Sequence, residues 1–403
     1  MSGSKLKPVQ AVTAVGCSLT IVSEDKRMRW LIAPDSFKGS LAAREVAEAM
    51  ARGIRRAEPS ADCRLCPMAD GGEGTLDALH ATLGGEWHRA SVHDAEGRPC
   101  EAEWLLLPHG VAVVEVARVV GLPDVGPASV HERDTRGVGE LIRACLDAGA
   151  RHIAVGLGGS STNDGGAGCL VGLGVRLLDR EGQTLAPLPD QLGRVAALDL
   201  SGLDARLEVT KLELWSDVDN PLLGPRGATA VFGPQKGVAP DAVARLDAAI
   251  ARFAAAADHA FGQPCAELPG SGAAGGLGYA LHLLGGRCHS GATALAELSG
   301  LSDAIAQVDW VLTGEGCSDG QTLAGKAPAR VAELARAAGV PVSLLSGAVL
   351  PDAEGQLAAH FDGCFSLCSR PMTLEAAIQQ AAPLLEQAAE QLARLVLAGR
   401  RGP

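Results

Sequence analysis

The sequence predicts an α/β protein in which a doubly wound parallel-sheet domain, discontinuous along the chain, is interrupted by an inserted mixed α/β domain. Three observations carry this expectation. Short apolar runs alternate with amphipathic helical stretches, the pattern of βαβ units. Hydrophobic residues make up 47% of the chain but aromatic ones only 3%, so the core must be built from Ala, Leu and Val in close-packed layers. The βαβ rhythm is clear at both ends and broken in the middle, and 403 residues exceed the roughly 250–300 at which one core stops growing.

Residues 1–27 read as an upstream extension without function. Lys5 and Lys7 before an apolar stretch imitate a weak signal peptide, but "MRWLIAPDS" from Met28 has the look of the first strand of a cytoplasmic enzyme. The strand "WLIA" leads into a helix whose Leu41, Val46, Met50 and Ile54 form a buried stripe, with Ser40 expected as its N-cap. "CRLCPM" is the next strand, followed by "ADGGEGT" and a helix through Leu79. Residues 86–118 alternate apolar and polar around glycine turns, so antiparallel hairpins are expected there. This change of pattern sets the domain bounds at 28–88 and 290–403 for the first domain and 89–289 for the insert, with the active site in the cleft between them. "HIAVGLGG" and "LELWSDVDN" read as strands separated by a variable linker near 180–210. "VDWVLTGEG" and "PVSLLSG" restore the βαβ rhythm, and a last helix from about Thr373 to Leu397 is expected to kink at Pro383.

A formal charge of −12 argues against nucleic acid or an anionic membrane as partner. No apolar run reaches the ~18 residues of a membrane span. Eleven irregularly spaced cysteines suit reduced thiols. "CRLC" and "CFSLC" could pair as a zinc site, but both lie in strand-like apolar stretches and are expected as buried thiols. His152 and His289 stand alone and are read as structural.

In an open parallel sheet, ligands gather where strand ends meet helix N-termini. Five loops fall at such places. The first contains Asp35, Ser36, Lys38 and Ser40, an ammonium and hydroxyls beside a helix start. The second holds Asp70 and Glu73 around two glycines. "GLGGSSTNDGGAG" carries six glycines with Ser160, Ser161, Thr162, Asn163 and Asp164. "WSDVDNPLLGP" spaces Asp217 and Asp219 two apart, which in an extended strand puts both carboxylates on one face and calls for a cation or a shared proton. The last supplies Glu315, Asp319, Gln321, Thr322 and Lys326. Acidic, glycine-rich strand ends alternating with Lys38, Lys236 and Lys326 are what phosphoryl transfer requires, because its transition state asks chiefly for positioning, Mg²⁺ and cationic hydrogen bonds.

Together "IAPDSFKGSL", "ADGGEGT", "VEVARVVGLP", "GLGGSSTNDGGAG", "DVDNPLLGPRGATAVFGPQKG", "GSGAAGGLG" and "TGEG…DGQTLAGKAP" resemble, in order, the class I glycerate kinases. The resemblance implies a cytoplasmic enzyme with a flavodoxin-like domain that uses ATP and Mg²⁺ to phosphorylate D-glycerate, usually at the 2-hydroxyl. It implies catalytic roles for Lys38, Asp70 and Asp219, with Asp70 and Asp219 sharing the tasks of base and metal ligand in an order left open. Asp35, Ser36, Glu73 and Asn220 would meet the substrate. Gly158, Gly159, Ser160, Asn163 and Lys326 would meet the nucleotide, and Asp217, Asp219 and Glu315 the metal. Cys317 and Ser318 depart from the arginine and aliphatic residue usual in the family, and Ser161 from a common alanine. A kinase of a related hydroxy acid, a 3-phosphate-forming enzyme and a catalytically silent nucleotide sensor are the alternatives. A dinucleotide-dependent dehydrogenase lacks its glycine fingerprint. The chain is expected to act as a monomer or homodimer.

Overall fold

The structure, a computed structural model, describes residues 27–400 except 321, 324 and 352. The extension expected for residues 1–27 therefore lies, but for Arg27, outside the described residues, as does Gln321.

The strands are β1 Arg29–Ile32, β2 Asp62–Leu65, β3 Glu86–His93, β4 Pro99–Leu106, β5 Val111–Glu115, β6 His152–Gly156, β7 Arg176–Leu178, β8 Thr184–Leu185, β9 Ala197–Asp199, β10 Lys211–Trp215, β11 Arg287–His289, β12 Trp310–Ser318, β13 Val342–Val349 and β14 Gly363–Ser366. Among the described residues they form three sheets. The first runs β14-β13-β12-β1-β2, and each of its pairings is parallel. Counted along the chain this is the order 2-1-3-4-5, the flavodoxin-like doubly wound arrangement, with its switch point between β1 and β12. The second runs β11-β10-β6-β5-β4-β3, with β3, β4 and β5 antiparallel and the rest parallel. The antiparallel part is the hairpin region that alternation predicts. β3 begins at Glu86, so the change of sheet comes two residues before the expected end of the first segment.

Both faces of the first sheet are covered, as a parallel sheet requires. Trp30, Ile32, Leu312 and Leu345 pack against Val46, Met50 and Ile54 of the helix Ala43–Ala57 and against Leu385, Ala389 and Ala393 of the helix Ala381–Arg400. On the other face a single core runs from Leu31 and Leu344 through the helices Thr75–Leu83 and Gly291–Leu298 to Leu105, Val113, Ala154 and Trp215 of the second sheet. The two sheets thus share a core, and the loops at the ends of their strands meet at one edge of it.

Four expectations need correction. Ala42, not Ser40, is the N-cap residue of the first helix, and the Glu45 carboxylate accepts from its N–H at 2.9 Å. Ser40 instead donates to the Ile378 carbonyl at 2.9 Å. The C-terminal helix is two helices, Leu374–Gln379 and Ala381–Arg400, divided at Gln380. Pro383 sits in the first turn of the second, where its missing N–H has no intrahelical acceptor to lose. The supposed linker near 180–210 contains β8 and β9, which pair antiparallel with β7 just before it to form a small sheet.

The cysteines among the described residues are free of disulfides. Cys63 lies on β2 and Cys364 on β14, opposite edges of the first sheet, with Cys66 and Cys368 just beyond the strand ends, so the two pairs cannot share a metal. Of the four expected buried thiols Cys66 alone is buried, and Cys368 is exposed.

Candidate active site

The loop after β1 closes on itself, with Phe37 and Leu41 exchanging backbone hydrogen bonds of 2.8 and 3.0 Å around Gly39 at φ 75°. That turn presents Lys38 outward. Its Nζ lies 3.6 Å from Asp70 Oδ2, and the neighbouring carboxylate favours the charged amine, raising its pKa. Asp35 is buried at 5% exposure and accepts from the Ser36 N–H at 2.6 Å. Burial, then the charge of Asp70, pushes its carboxyl up to about 7. Across the switch point, Glu315 on β12 is buried, which raises its pKa; its Oε1 accepts from Ser318 Oγ at 2.8 Å and Thr322 Oγ1 at 2.7 Å. The family departure at Ser318 thus supplies a partner for Glu315.

The Asp70 loop meets the glycine-rich loop after β6 backbone to backbone. Gly158 N–H donates to the Gly71 carbonyl at 3.1 Å, and a Cβ on Gly158 would collide with Gly72 Cα. At least this glycine serves the approach of one loop to another. Asp164 ties the far side of the glycine-rich loop, accepting from Thr135 N–H and Oγ1 and from Gly166 and Gly168 at 2.8–3.0 Å, fully buried. Ser161 donates to the Val120 carbonyl at 2.9 Å.

Lys236 is buried at 5% exposure beneath this loop and donates to Ser160 Oγ at 2.9 Å and the Thr162 carbonyl at 2.8 Å. Burial drives its amine down to about 7. A neutral amine has two N–H groups, and both have acceptors here. Asp217, just beyond β10, accepts from Gly291 N–H at 3.1 Å through Oδ1, while its buried Oδ2 has no hydrogen-bond partner among the described residues. Its carboxyl is pushed up to about 6, first by burial and also by Asp70.

These groups surround two adjoining cavities. A smaller one of about 270 Å³ is lined by Gly158, Gly159, Ser160, Asp217 and Lys236. A larger one of about 730 Å³ is lined by Asp35, Lys38, Glu315 and, further along, apolar side chains. Asp70 and Lys326 line both.

A family model described as the glycerate kinase family matches residues 30–397. This chain belongs to that family. A glycerate kinase of Bacillus subtilis (strain 168) is 43% identical over 373 residues, covering 91% of this chain and 97% of that one. The glycerate 2-kinase of Escherichia coli (strain K12) is 37% identical over 380 residues, 93% of this chain and 99% of its own. The crystal structure of a glycerate kinase 2 from Salmonella typhimurium LT2 superimposes with a TM-score of 0.81 at 40% identity, covering 93% of this chain and 100% of that one.

Within this glycerate kinase fold, Lys38, Asp35, Ser36, Asp70, Gly158, Gly159, Ser160, Asp217, Glu315 and Lys326 all line the two cavities. Glu73 does not; with Ser36, Lys38 and Glu115 it lines a neighbouring cavity of about 430 Å³. Asp219 is not brought to either. β10 ends at Trp215, so strand alternation no longer holds at 217–219; the Asp219 side chain is 77% exposed and pairs with Arg226 at 3.3 Å. Asn220 turns to the Arg226 carbonyl at 2.7 Å. Asn163 is fully buried, donates to Thr229 Oγ1 at 3.1 Å and lines neither cavity. Sequence reasoning counted Lys236 among the cations but gave it no place in the site. Nothing in "FGPQKGV" signals that its ammonium is buried.

No helix among the described residues is long and apolar enough to cross a membrane.

Proposed function

We propose that this chain transfers the γ-phosphoryl group of ATP to the 2-hydroxyl of D-glycerate. One observation carries the assignment of roles: Asp70 and Lys326 stand in the shared wall of a smaller cavity and a larger one. Drug-sized ligands occupy pockets of about 300–1,000 Å³. The larger cavity suits a nucleotide and the smaller a three-carbon acid, and transfer takes place where they join.

Glycerate's carboxylate is held by Lys236 and Ser160 in the smaller cavity. Asp70 takes the hydroxyl proton as the phosphoryl group arrives, and Lys38 and Lys326 offset the negative charge on its oxygens. The glycine-rich loop then serves the acceptor, the reverse of the nucleotide role expected for Gly158, Gly159 and Ser160. Among the described residues no three His, Cys, Asp or Glu side chains form a metal-holding group. Mg²⁺ in kinases ordinarily takes only one or two carboxylates together with phosphates and water, and the unpartnered buried oxygen of Asp217 fits that requirement. Asp217 would hold the ion, with Asp70 lining the same cavity; bound there, Mg²⁺ would neutralise phosphate charge. Cys317 lines the larger cavity and not the smaller, so the departure from the family arginine falls on the nucleotide side and leaves the acceptor pocket intact. The reading includes a cytoplasmic location, where free thiols stay reduced.

The test is release of ADP from ATP, Mg²⁺ and D-glycerate, with the product passed to enolase in the absence of phosphoglycerate mutase. Prompt phosphoenolpyruvate marks the 2-phosphate, and a lag abolished only by mutase marks the 3-phosphate. Absence of ADP would leave the nucleotide-sensor reading.

A further inference from the structure

The larger cavity has two chemically different ends. One carries Lys38, Lys326 and the carboxylates. The other is walled by Leu367, Met372, Leu374, Ile378 and Leu384, with Gly347 and Ala348 of β13 also lining it. The helix Leu374–Gln379 buries none of its residues, and Leu374 is 77% and Ile378 39% exposed. Two leucine-sized side chains left in water beside a cavity mark a surface awaiting an apolar ligand.

The helix is nonetheless held. Thr373 Oγ1 accepts from Ala376 N–H at 3.2 Å, and the Ile378 carbonyl accepts from Ser40 Oγ at 2.9 Å. The second bond ties the apolar wall to the loop that presents Lys38, fixing the spacing between the greasy end and the cationic end. The cavity also opens at the carboxyl ends of β12 and β13, beside the switch point of the sheet, where open α/β folds bind their ligands.

We propose that the apolar end formed by Leu367, Met372, Leu374, Ile378 and Leu384 seats the purine base of the nucleotide, whose phosphates run to Lys38 and Lys326. A nucleoside triphosphate has this pairing of a flat apolar group and a polyanion at a short fixed distance, whereas an acyl chain or an apolar peptide brings no polyanion to the two lysines. The inference rests on the proposal that the larger cavity takes ATP.

Photolabelling of the full chain with 8-azido-ATP and Mg²⁺, followed by peptide mapping, tests it. The expected adducts fall within residues 367–384 and disappear when excess ATP is added. Adducts confined to residues 157–160 or 232–236, or no adduct that ATP displaces, overturn it. In parallel, Leu374→Asp and Ile378→Asp alter an exposed helix face and leave the fold unaffected. Each is expected to raise the KM for ATP about tenfold with the KM for D-glycerate unchanged, and an unchanged KM for ATP also overturns it. Labelling at 367–384 without ADP formation from glycerate would sink the acceptor assignment and leave the base seat standing.

Discussion

The Lys38 ammonium stands 3.6 Å from the Asp70 carboxylate, joining the loops that follow the first two strands of the flavodoxin-like sheet. With the lysine side chain 67% exposed, such a pair adds at most about 1 kcal/mol to stability, so its worth lies in reactivity. Lys38→Met should lower kcat by about 100-fold or more, the usual loss of one charge-stabilising donor, with the melting temperature nearly unchanged. Steady-state kinetics beside a thermal melt checks this, and near-normal turnover removes Lys38 from the mechanism.

The carboxylates separate by position. Asp70→Asn keeps an acceptor for the Gly72 N–H, now 3.0 Å away, but cannot take a proton, and should cost about 10²–10⁴ in kcat. Asp217→Asn should raise the Mg²⁺ concentration needed for half-maximal rate. Asp219→Ala, which removes only an exposed pair with Arg226, should stay within about twofold of the parent. A large loss in the last variant would return Asp219 to the role the motif suggested.

Lys236 is mostly neutral above its depressed pKa of about 7. A carboxylate placed beside it favours the ammonium, so binding of D-glycerate at pH 8 should draw a proton from solution. Titration calorimetry in buffers of different ionisation enthalpy should show uptake approaching one proton per glycerate. Lys236→Met should bind weakly and without that uptake.

Asp35 imposes a pH dependence on stability. Its folded pKa of about 7 lies above the ordinary 3.8, so between those values the folded state holds the proton more often than the unfolded one. Stability therefore falls as pH rises through this window. Asp35→Asn should flatten the decline in melting temperature between pH 5 and pH 8; an unaltered slope would show that the carboxyl is already ionised at the lower pH.

Pro383 tests the helix boundary. In a helix interior, replacing proline should recover about 3 kcal/mol or more, but in the first turn it forgoes no hydrogen bond. Pro383→Ala should change unfolding free energy by less than about 1 kcal/mol in urea titrations.

Much of this architecture was legible because burial writes a period into the chain. Trp30 and Ile32 face one layer and Leu31 the other, and Val46, Met50 and Ile54 recur at helical spacing. β7, β8 and β9 were not legible, since strands of two or three residues bury little more than Leu177 and Leu185 and leave no period to read. At the site, Lys38 and Asp70, fixed by short loops, line the larger cavity. Asp219 and Asn220 line neither cavity, because alternation is a property of extended strands and the strand ends at Trp215. Lys236 was legible as a cation but not as a buried one, because the acceptors that hold its amine, Ser160 and Thr162, lie more than seventy positions upstream.

β1 is flanked by β2 and by β12, and Arg29 finds Asp309 only 280 positions later. At ribosomal speeds of about 5–20 residues per second, that partner emerges roughly a quarter of a minute to a minute after the first strand. Through that interval β2 and the helix Ala43–Ala57 are present, but the edge of β1 that faces β12 stays unpaired, while the sequences of the second sheet are already free to assemble. Catalysis by this protein is thus the last thing its translation delivers, and a transcript cut short before Trp310 yields a polypeptide with a sticky edge and no kinase.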